Sequence, residues 1–320
     1  MIGMLALLTL AACSPPAAPP VPLGADEVPN IVLELHDGVE PAALAPGAVR
    51  YAPVFPVAED REHGLASLFT ANWAPRPGAN TLGGILELYG YQALTTSTGL
   101  APWGLTLAEA EPQAGAGPWL HVVPVIGQSG VPALSPVSVL ATARSGWQRV
   151  AVVVLWAKAR DAETPAGAGL TWDQPGALWW IGPRAPAPLP PGSILSTIDL
   201  MPTLLTAARA TIPSDADGSA LGDADVARKA VFATARDGSY VVRSDRHRLA
   251  VAGQSPLPEA CPTDAHLTDA AGSPSADGQA RAALYAALRG WRARMEATTA
   301  RDRLGAEHFD RLNAAQGYWQ

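Results

Sequence analysis

The sequence predicts an α/β fold, a largely parallel sheet flanked by helices, with a smaller C-terminal α+β subdomain. Three observations carry that expectation. Short apolar runs, of which RVAVVVLW (149–156) is the strongest, have the near-continuous hydrophobicity of strands buried on both faces. Segments of helical spacing alternate with these runs as far as about residue 210, the order of a parallel sheet covered on both sides. Beyond that point short strands cluster together, and one long amphipathic segment follows, GQARAALYAALRGWRARMEATT (278–299).

Taken in order, the chain opens with an uncharged apolar run from Ile2 to Ala12. It is too short to span a bilayer and suits the hydrophobic region of an export signal. A buried N-terminal helix is the alternative, opposed by the SPPAAPPVP that follows, which does not continue a helix. Residues 14–27 are rich in Pro and Ala and read as an extended, semi-rigid tether. PNIVLEL (29–35) is a buried-type strand ending at HDG. AEDREHGLASLFTA (58–71) starts with the ionisable side chains of Glu59, Asp60, Arg61, Glu62 and His63, read as a charged loop, and turns into LASLFTA, which has the spacing of a helix start. Such a junction offers free N–H groups to an anion. TLGGILELYGYQALTTST (81–98) reads as a helix broken at Gly90 and then a strand, and PWLHVVPVI (118–126) as another strand. SPVSVLATARSGW (135–147) has helical spacing and precedes the 149–156 strand. ALWWIGP (177–183) is a further strand, and STIDLMPTLLTAA (196–208) a helix behind a Ser or Thr cap. AVFATARDGSYVVRSDRHRLAVAG (230–253) reads as two or three short antiparallel strands with a turn at RDGS.

Composition excludes one class of partner. The net charge of −7 leaves no basic stripe to neutralise phosphates, which argues against nucleic acid. The only cysteines are Cys13 and Cys261, so the fold relies on its core rather than on disulfides. Lys158 and Lys229 are the only lysines.

Two resemblances go further. LAAC, ending at Cys13, resembles the lipobox of bacterial lipoproteins. It implies a signal peptide over 1–12, a tether over 13–27, a lipid anchor at Cys13 to a bacterial membrane, and, with Ser14 following, residence in the outer membrane of the cell envelope. From about residue 28 to 320 the order of segments resembles the sulfatases of the alkaline phosphatase superfamily. PNIVLELHDG is similar to that family's opening strand, which ends in two metal-binding aspartates, and LASLFTA to the RASLLTG after its nucleophile. TLGGILELYGYQALTTSTG is similar to TLAEILKEAGYRTAAFGK, GPRAPAPLPPGSILSTIDLMPTLLTAA to WPGKIKPGSVVSTIDLAPTLLDLAG, and GSYVVRSDRHRLA to GSRAVRTGRYKLI. The resemblance implies an alkaline-phosphatase-like fold, with a sulfatase-like α/β domain over 28–210 and a C-terminal subdomain over 211–320.

The same resemblance marks what is missing. The family attacks with a formylglycine or a serine beside a divalent cation held by oxygen ligands. Matching the motifs puts Arg61 at the nucleophile and Leu65 at the arginine that steadies it. Arginine does not attack an ester. Asp37 matches the first metal-binding aspartate, but Gly38 stands at the second, and Lys158 and Ala159 at the later ligand pair. The family lysine falls on Thr98 or Gly99, and its histidine near Gln128 or Ser129. Lys158, with Arg61, is then a candidate replacement for the metal's charge, paired with Asp37, because a buried carboxylate needs a positive partner. Projection of Lys158 into solvent is the alternative.

Other residues carry paired readings. His36 and His63, with Glu59, Asp60 or Glu62, could form a rebuilt metal site, or simply a solvated loop. His121 reads as a satisfied core residue, His247 as packing, and Asp199 as structural. The tryptophans at 103, 119, 147, 156, 172, 179 and 180 could line a groove, with core packing expected for those on strands. The functional expectation is a catalytically inactive envelope lipoprotein acting in binding or scaffolding, with no cofactor and with a sulfated glycan or an envelope protein as partner. The alternative is a divergent sulfuric or phosphoric ester hydrolase using Ca²⁺ or Mg²⁺ at His36, Asp37 and the 59–63 cluster. In a third reading Arg61 and Lys158 hold a sulfated glycan without turnover.

Overall fold

The computed structural model describes residues 28–37, 47–58, 61–73, 79–108, 118–126, 150–157, 176–223, 230–234, 238–253 and 256–315. The strand predicted at 29–35 is β1 (Asn30–Asp37), at the centre of an eight-stranded sheet. Around it stand β2 (Val49–Phe55), β3 (Gln92–Thr95), β4 (Thr106–Leu107), β5 (Trp119–Ile126), β6 (Val150–Ala157), β7 (Gly176–Ile181) and β8 (Leu195–Ser196), in the order β4-β3-β5-β1-β6-β7-β2-β8. From β4 through β6 all neighbours are parallel. β7 breaks the pattern by running antiparallel to both β6 and β2.

One face of the sheet is apolar throughout. Ile31 and Leu33 of β1 are fully buried there with Leu120, Val122, Ala151 and Val153. Three helices cover them: α1 (Arg61–Thr70) with Leu68 and Phe69, α2 (Leu82–Leu88) with Leu82 and Leu86, and α3 (Leu200–Ala207) with Met201, Leu204 and Leu205. Alternate residues of the same strands, Val32, Val123, Val152, Val154 and Trp179, build a second core on the opposite face. The helix predicted at 135–147 lies outside the described residues.

Helix starts repay a closer look. α1 begins at Arg61, so Arg61, Glu62 and His63 are helical and do not belong to a loop preceding LASLFTA. Acidic residues favour a first turn because the helix N-terminus carries partial positive charge. The segment expected as a single helix from 196 divides into a 3₁₀ turn, Thr197–Asp199, and α3. Asp199 is the reason: its buried carboxylate accepts the N–H of Ser196 and, from across the chain, that of Ser219, both at 2.9 Å. It is structural, as expected. α2 opens with the Thr81 hydroxyl accepting from Gly84 N and stops at Gly90, whose φ of +83° suits glycine.

A second sheet of β9 (Val231–Thr234), β10 (Tyr240–Arg243), β11 (His247–Val251) and β12 (His266–Asp269) is antiparallel throughout. It packs under α4 (Gly278–Ala315), which runs well past its expected end at 299. Leu284, Tyr285, Leu288 and Trp291 are the buried stripe of that helix. Trp73, just after α1, meets Phe232 and Trp291 edge to face, and those two rings stack at 5.2 Å. With the Thr234 N–H donating to the Val57 carbonyl, this aromatic cluster joins the two sheets. Among the described residues no helix is long and apolar enough to cross a membrane.

Candidate active site at the carboxyl edge of the sheet

Four parallel strands, β3, β5, β1 and β6, end on one edge of the sheet, where open α/β folds bind ligands. The register sets Asp37 directly between Ile126 of β5 and Ala157 of β6. β2 shares their direction because both it and β6 are antiparallel to β7, so the chain leaving β2 reaches α1 from this same edge. Thr98 and Gly99 open a 3₁₀ helix just beyond β3, both exposed. Thus Asp37, Arg61 and the Thr98–Gly99 position lie on elements that begin or end at one edge. Gly38, Glu59, Asp60, Gln128, Ser129, Lys158 and Ala159 lie outside the described residues, as do the side chains of Asp37, Arg61 and Glu62, and Cys13 lies there too.

Two histidines considered for this edge are placed by the structure. His36 pairs with Glu34 within β1. Its Nε2 lies 2.7 Å from Glu34 Oε2, both side chains are buried, and both stand on the sheet face opposite α1. The period of two along a strand puts residues i and i+2 on one face, which is why Glu34 and His36 meet. His63 is helical, not a solvated loop residue. Half-buried in the first turn of α1, its Nε2 is 3.0 Å from the carbonyl of Trp73, on the chain that returns beside the helix.

Glu34 is the residue sequence reasoning missed. A fully buried glutamate in the central strand of a sheet requires a partner. The signal was legible: a lone acid in an apolar strand with a histidine two residues on. His121, on the same face and in register with Val32, is buried as expected, but neither ring nitrogen has a hydrogen-bond partner among the described residues. Burial lowers its pKa and keeps the ring neutral.

Among the described residues no three His, Cys, Asp or Glu side chains come together. His36 Nε2 meets Glu34 and His63 Nε2 a backbone carbonyl, while His36 Nδ1 is buried without a hydrogen-bond partner among the described residues. A cleft between β2, β6 and the start of α3, lined by Val54, Leu155, Leu178 and Leu195 with Ser196 and Thr197, is about the size of one water molecule, too small for an ester. His247 is half-buried, 3.9 Å from Asp277 below α4, remote in sequence and sheet from this edge. Trp119, Trp179 and Trp180 are buried core residues, not a groove lining.

Solved structures similar to this one share its architecture. A 2-O GAG sulfatase superposes with a TM-score of 0.55, over 87% of this chain and 94% of its own, at 11% identity. The phosphonate monoester hydrolase of Silicibacter pomeroyi also gives 0.55, over 84% and 95%, at 14% identity. An alkaline phosphatase superfamily protein of Vibrio parahaemolyticus gives 0.52, over 83% and 88%, at 11% identity. The chain has the alkaline-phosphatase-like fold of the sulfatases. No family model and no curated protein matches the sequence. Identities this low establish the sulfatase-like fold and leave the chemistry to be argued from residues.

Proposed function

We propose that this sulfatase-like chain is an exported, lipid-anchored protein of the bacterial cell envelope that has lost ester hydrolysis and acts by binding or scaffolding. In this reading residues 1–12 are removed as a signal, Cys13 carries the lipid, and 13–27 tether a sulfatase-like domain (28–210) and a C-terminal subdomain (211–320). Several acyl chains are needed for stable anchoring, and bacterial lipoproteins carry them.

The observation that carries the loss of hydrolysis is the register at the carboxyl edge. Asp37 lies beside Ile126 and Ala157, so the residues that follow these strand ends are the ones available to the site. In the sequence those residues include Gly38 and Lys158, and α1 opens with Arg61 where the family keeps its nucleophile. A lysine ammonium supplies positive charge beside Asp37 but no Lewis acidity, and a guanidinium is no nucleophile. Arg61 and Lys158 suit retention of a sulfated glycan without turnover, with affinity that falls as salt screens the charges. The position of His36, paired with Glu34 on the sheet face away from α1, favours this reading over a metal site that His36 shares with His63.

Aryl sulfate, phosphate monoester and phosphonate monoester substrates, assayed with Ca²⁺ and with Mg²⁺, test this reading. The expected rate is the same for the parent and for Asp37→Ala. Turnover that Asp37→Ala abolishes would restore the hydrolase.

A further inference from the structure

Val28, Pro29 and Asn30 are buried and lead straight into β1, at the edge of the sheet opposite Asp37. Hydrogen bonds draw three other segments to this amino edge. The Tyr91 hydroxyl, just before β3, donates to the Pro29 carbonyl at 2.9 Å. Tyr89, just past α2, donates from its hydroxyl to Thr211 Oγ1 and accepts the Thr211 N–H. Arg184, on the chain leaving β7, donates from its guanidinium to the Ala207 carbonyl at the end of α3. The start of β1, the ends of α2 and α3 and the exit from β7 therefore form one surface.

Part of what this surface shows to water is apolar and part is cationic. Leu88, the last residue of α2, is the most exposed large apolar side chain among the described residues, at 66%. Arg184 and Arg209 are exposed on the same edge. An apolar side chain with cations around it suits a phospholipid surface, the leucine entering the headgroup region and the guanidinium groups meeting phosphate. Charge alone is not decisive, because Glu87 is exposed there too and Asp26 and Glu27 precede Val28 in the sequence. The deciding feature is the chain that arrives at this edge.

The inference rests on the proposed lipid anchor at Cys13. Residues 14–27 separate that anchor from Val28. Fully extended as polyproline II, at about 3.1 Å per residue, they span about 43 Å. The domain is then confined above its own bilayer, where a contact too weak to hold a free protein is populated. For the edge at Asp37 to reach the same bilayer, the tether would first have to run back along β1, about 26 Å at ~3.3 Å per residue. We propose that the amino edge, with Leu88, Arg184 and Arg209, rests on the phospholipid surface that anchors the protein. The edge at Asp37 is then turned away from the membrane, toward ligands that arrive from the other side.

The test uses the full chain with Cys261→Ser, expressed in a Gram-negative bacterium and checked by mass spectrometry for acylation at Cys13. The protein is placed in vesicles of phosphatidylethanolamine and phosphatidylglycerol, with and without a nitroxide-headgroup lipid. A fluorophore is attached through Glu87→Cys on the amino edge or through Thr98→Cys on the opposite one, both exposed positions. The nitroxide is expected to quench the label at 87 at least twice as strongly as the label at 98. Leu88→Gln, which keeps every charge, should reduce that difference, and Leu88→Glu/Arg209→Glu should abolish it at an unchanged melting midpoint. Equal quenching at the two positions of acylated protein, or a difference that survives the double variant, overturns the inference and leaves the lipoprotein reading standing. A chain without acyl groups at Cys13 overturns that reading and this inference with it.

Discussion

Leu33 and Asp37 belong to one strand, yet their surroundings differ in kind. Around Leu33 the sheet is packed to exclusion: Ile31, Leu33, Val122, Ala151 and Val153 are without exposure, and three helices close over them. Around Asp37 the strand ends lead in sequence into Gly38 and Lys158, and α1 starts at Arg61, the residues on which the proposed loss of hydrolysis rests. The contrast teaches that the interactions maintaining this fold and those supporting its chemistry are separable, even within one strand. A parallel sheet is held by what lies between its faces, and its carboxyl edge contributes little to that. An edge can therefore lose its ligands while the core keeps its packing.

Substitutions should reproduce the contrast. Leu33→Ala removes a fully buried side chain in the middle of the sheet, and urea denaturation should register a loss of about 2–5 kcal/mol. Next in size is the buried pair on the other face. Glu34→Leu deprives His36 of its carboxylate and should cost about 1–3 kcal/mol, and adding His36→Leu should recover most of that, because an apolar pair needs no partner. A failure of the second substitution to recover stability would show that the pair is worth more than its replacement.

His121 gives a pH signature to the same face. Burial lowers its folded-state pKa, so the unfolded chain takes up the proton first as pH falls. The stability linked to the neutral ring is present above the unfolded pKa of about 6.5 and is lost as pH drops through the depressed folded value, with a slope of at most ~1.4 kcal/mol per pH unit. Melting curves of His121→Leu should lack this decline between about pH 6.5 and the folded pKa. Equal slopes for the two proteins would mean that the ring is not desolvated as the structure has it.

The smallest effects belong to the edge. If Lys158 pairs with Asp37, Lys158→Ala should cost less than about 1 kcal/mol, as solvent-screened ion pairs do, and Lys158→Glu more, because it adds a like charge. No change in either variant rejects the pairing.

Much of this was open to reading in the sequence. VLEL, HVVPV and VAVVVLW declare buried strands by apolar content alone, and their observed limits fall within a residue or two of those expected. β2, β4, β8 and β12 were not visible. VRYAPVF carries an arginine and an internal proline, β4 and β8 have two residues each, and HLTD has too few apolar side chains to stand out from a loop. The charged stretch before LASLFTA concealed a helical turn, because acids and His63 suit a helix N-terminus as well as a loop. At the site, residue identity alone carries the proposal that hydrolytic groups are missing. Which face each histidine occupies depended on strand phase, and that became fixed only once β1 had a register.

The central claim is that the sulfatase-like fold persists without its cation, and a thermal melt addresses it most directly. The chain carrying Cys13→Ser would be melted alone and with Ca²⁺, Mg²⁺, Mn²⁺ or Zn²⁺. An ion that binds the folded state alone raises stability by ~2.7 kcal/mol at a hundredfold excess over its dissociation constant. The account predicts a midpoint that none of the four ions moves. A clear rise with any one of them would contradict it and return the carboxyl edge to metal-dependent chemistry.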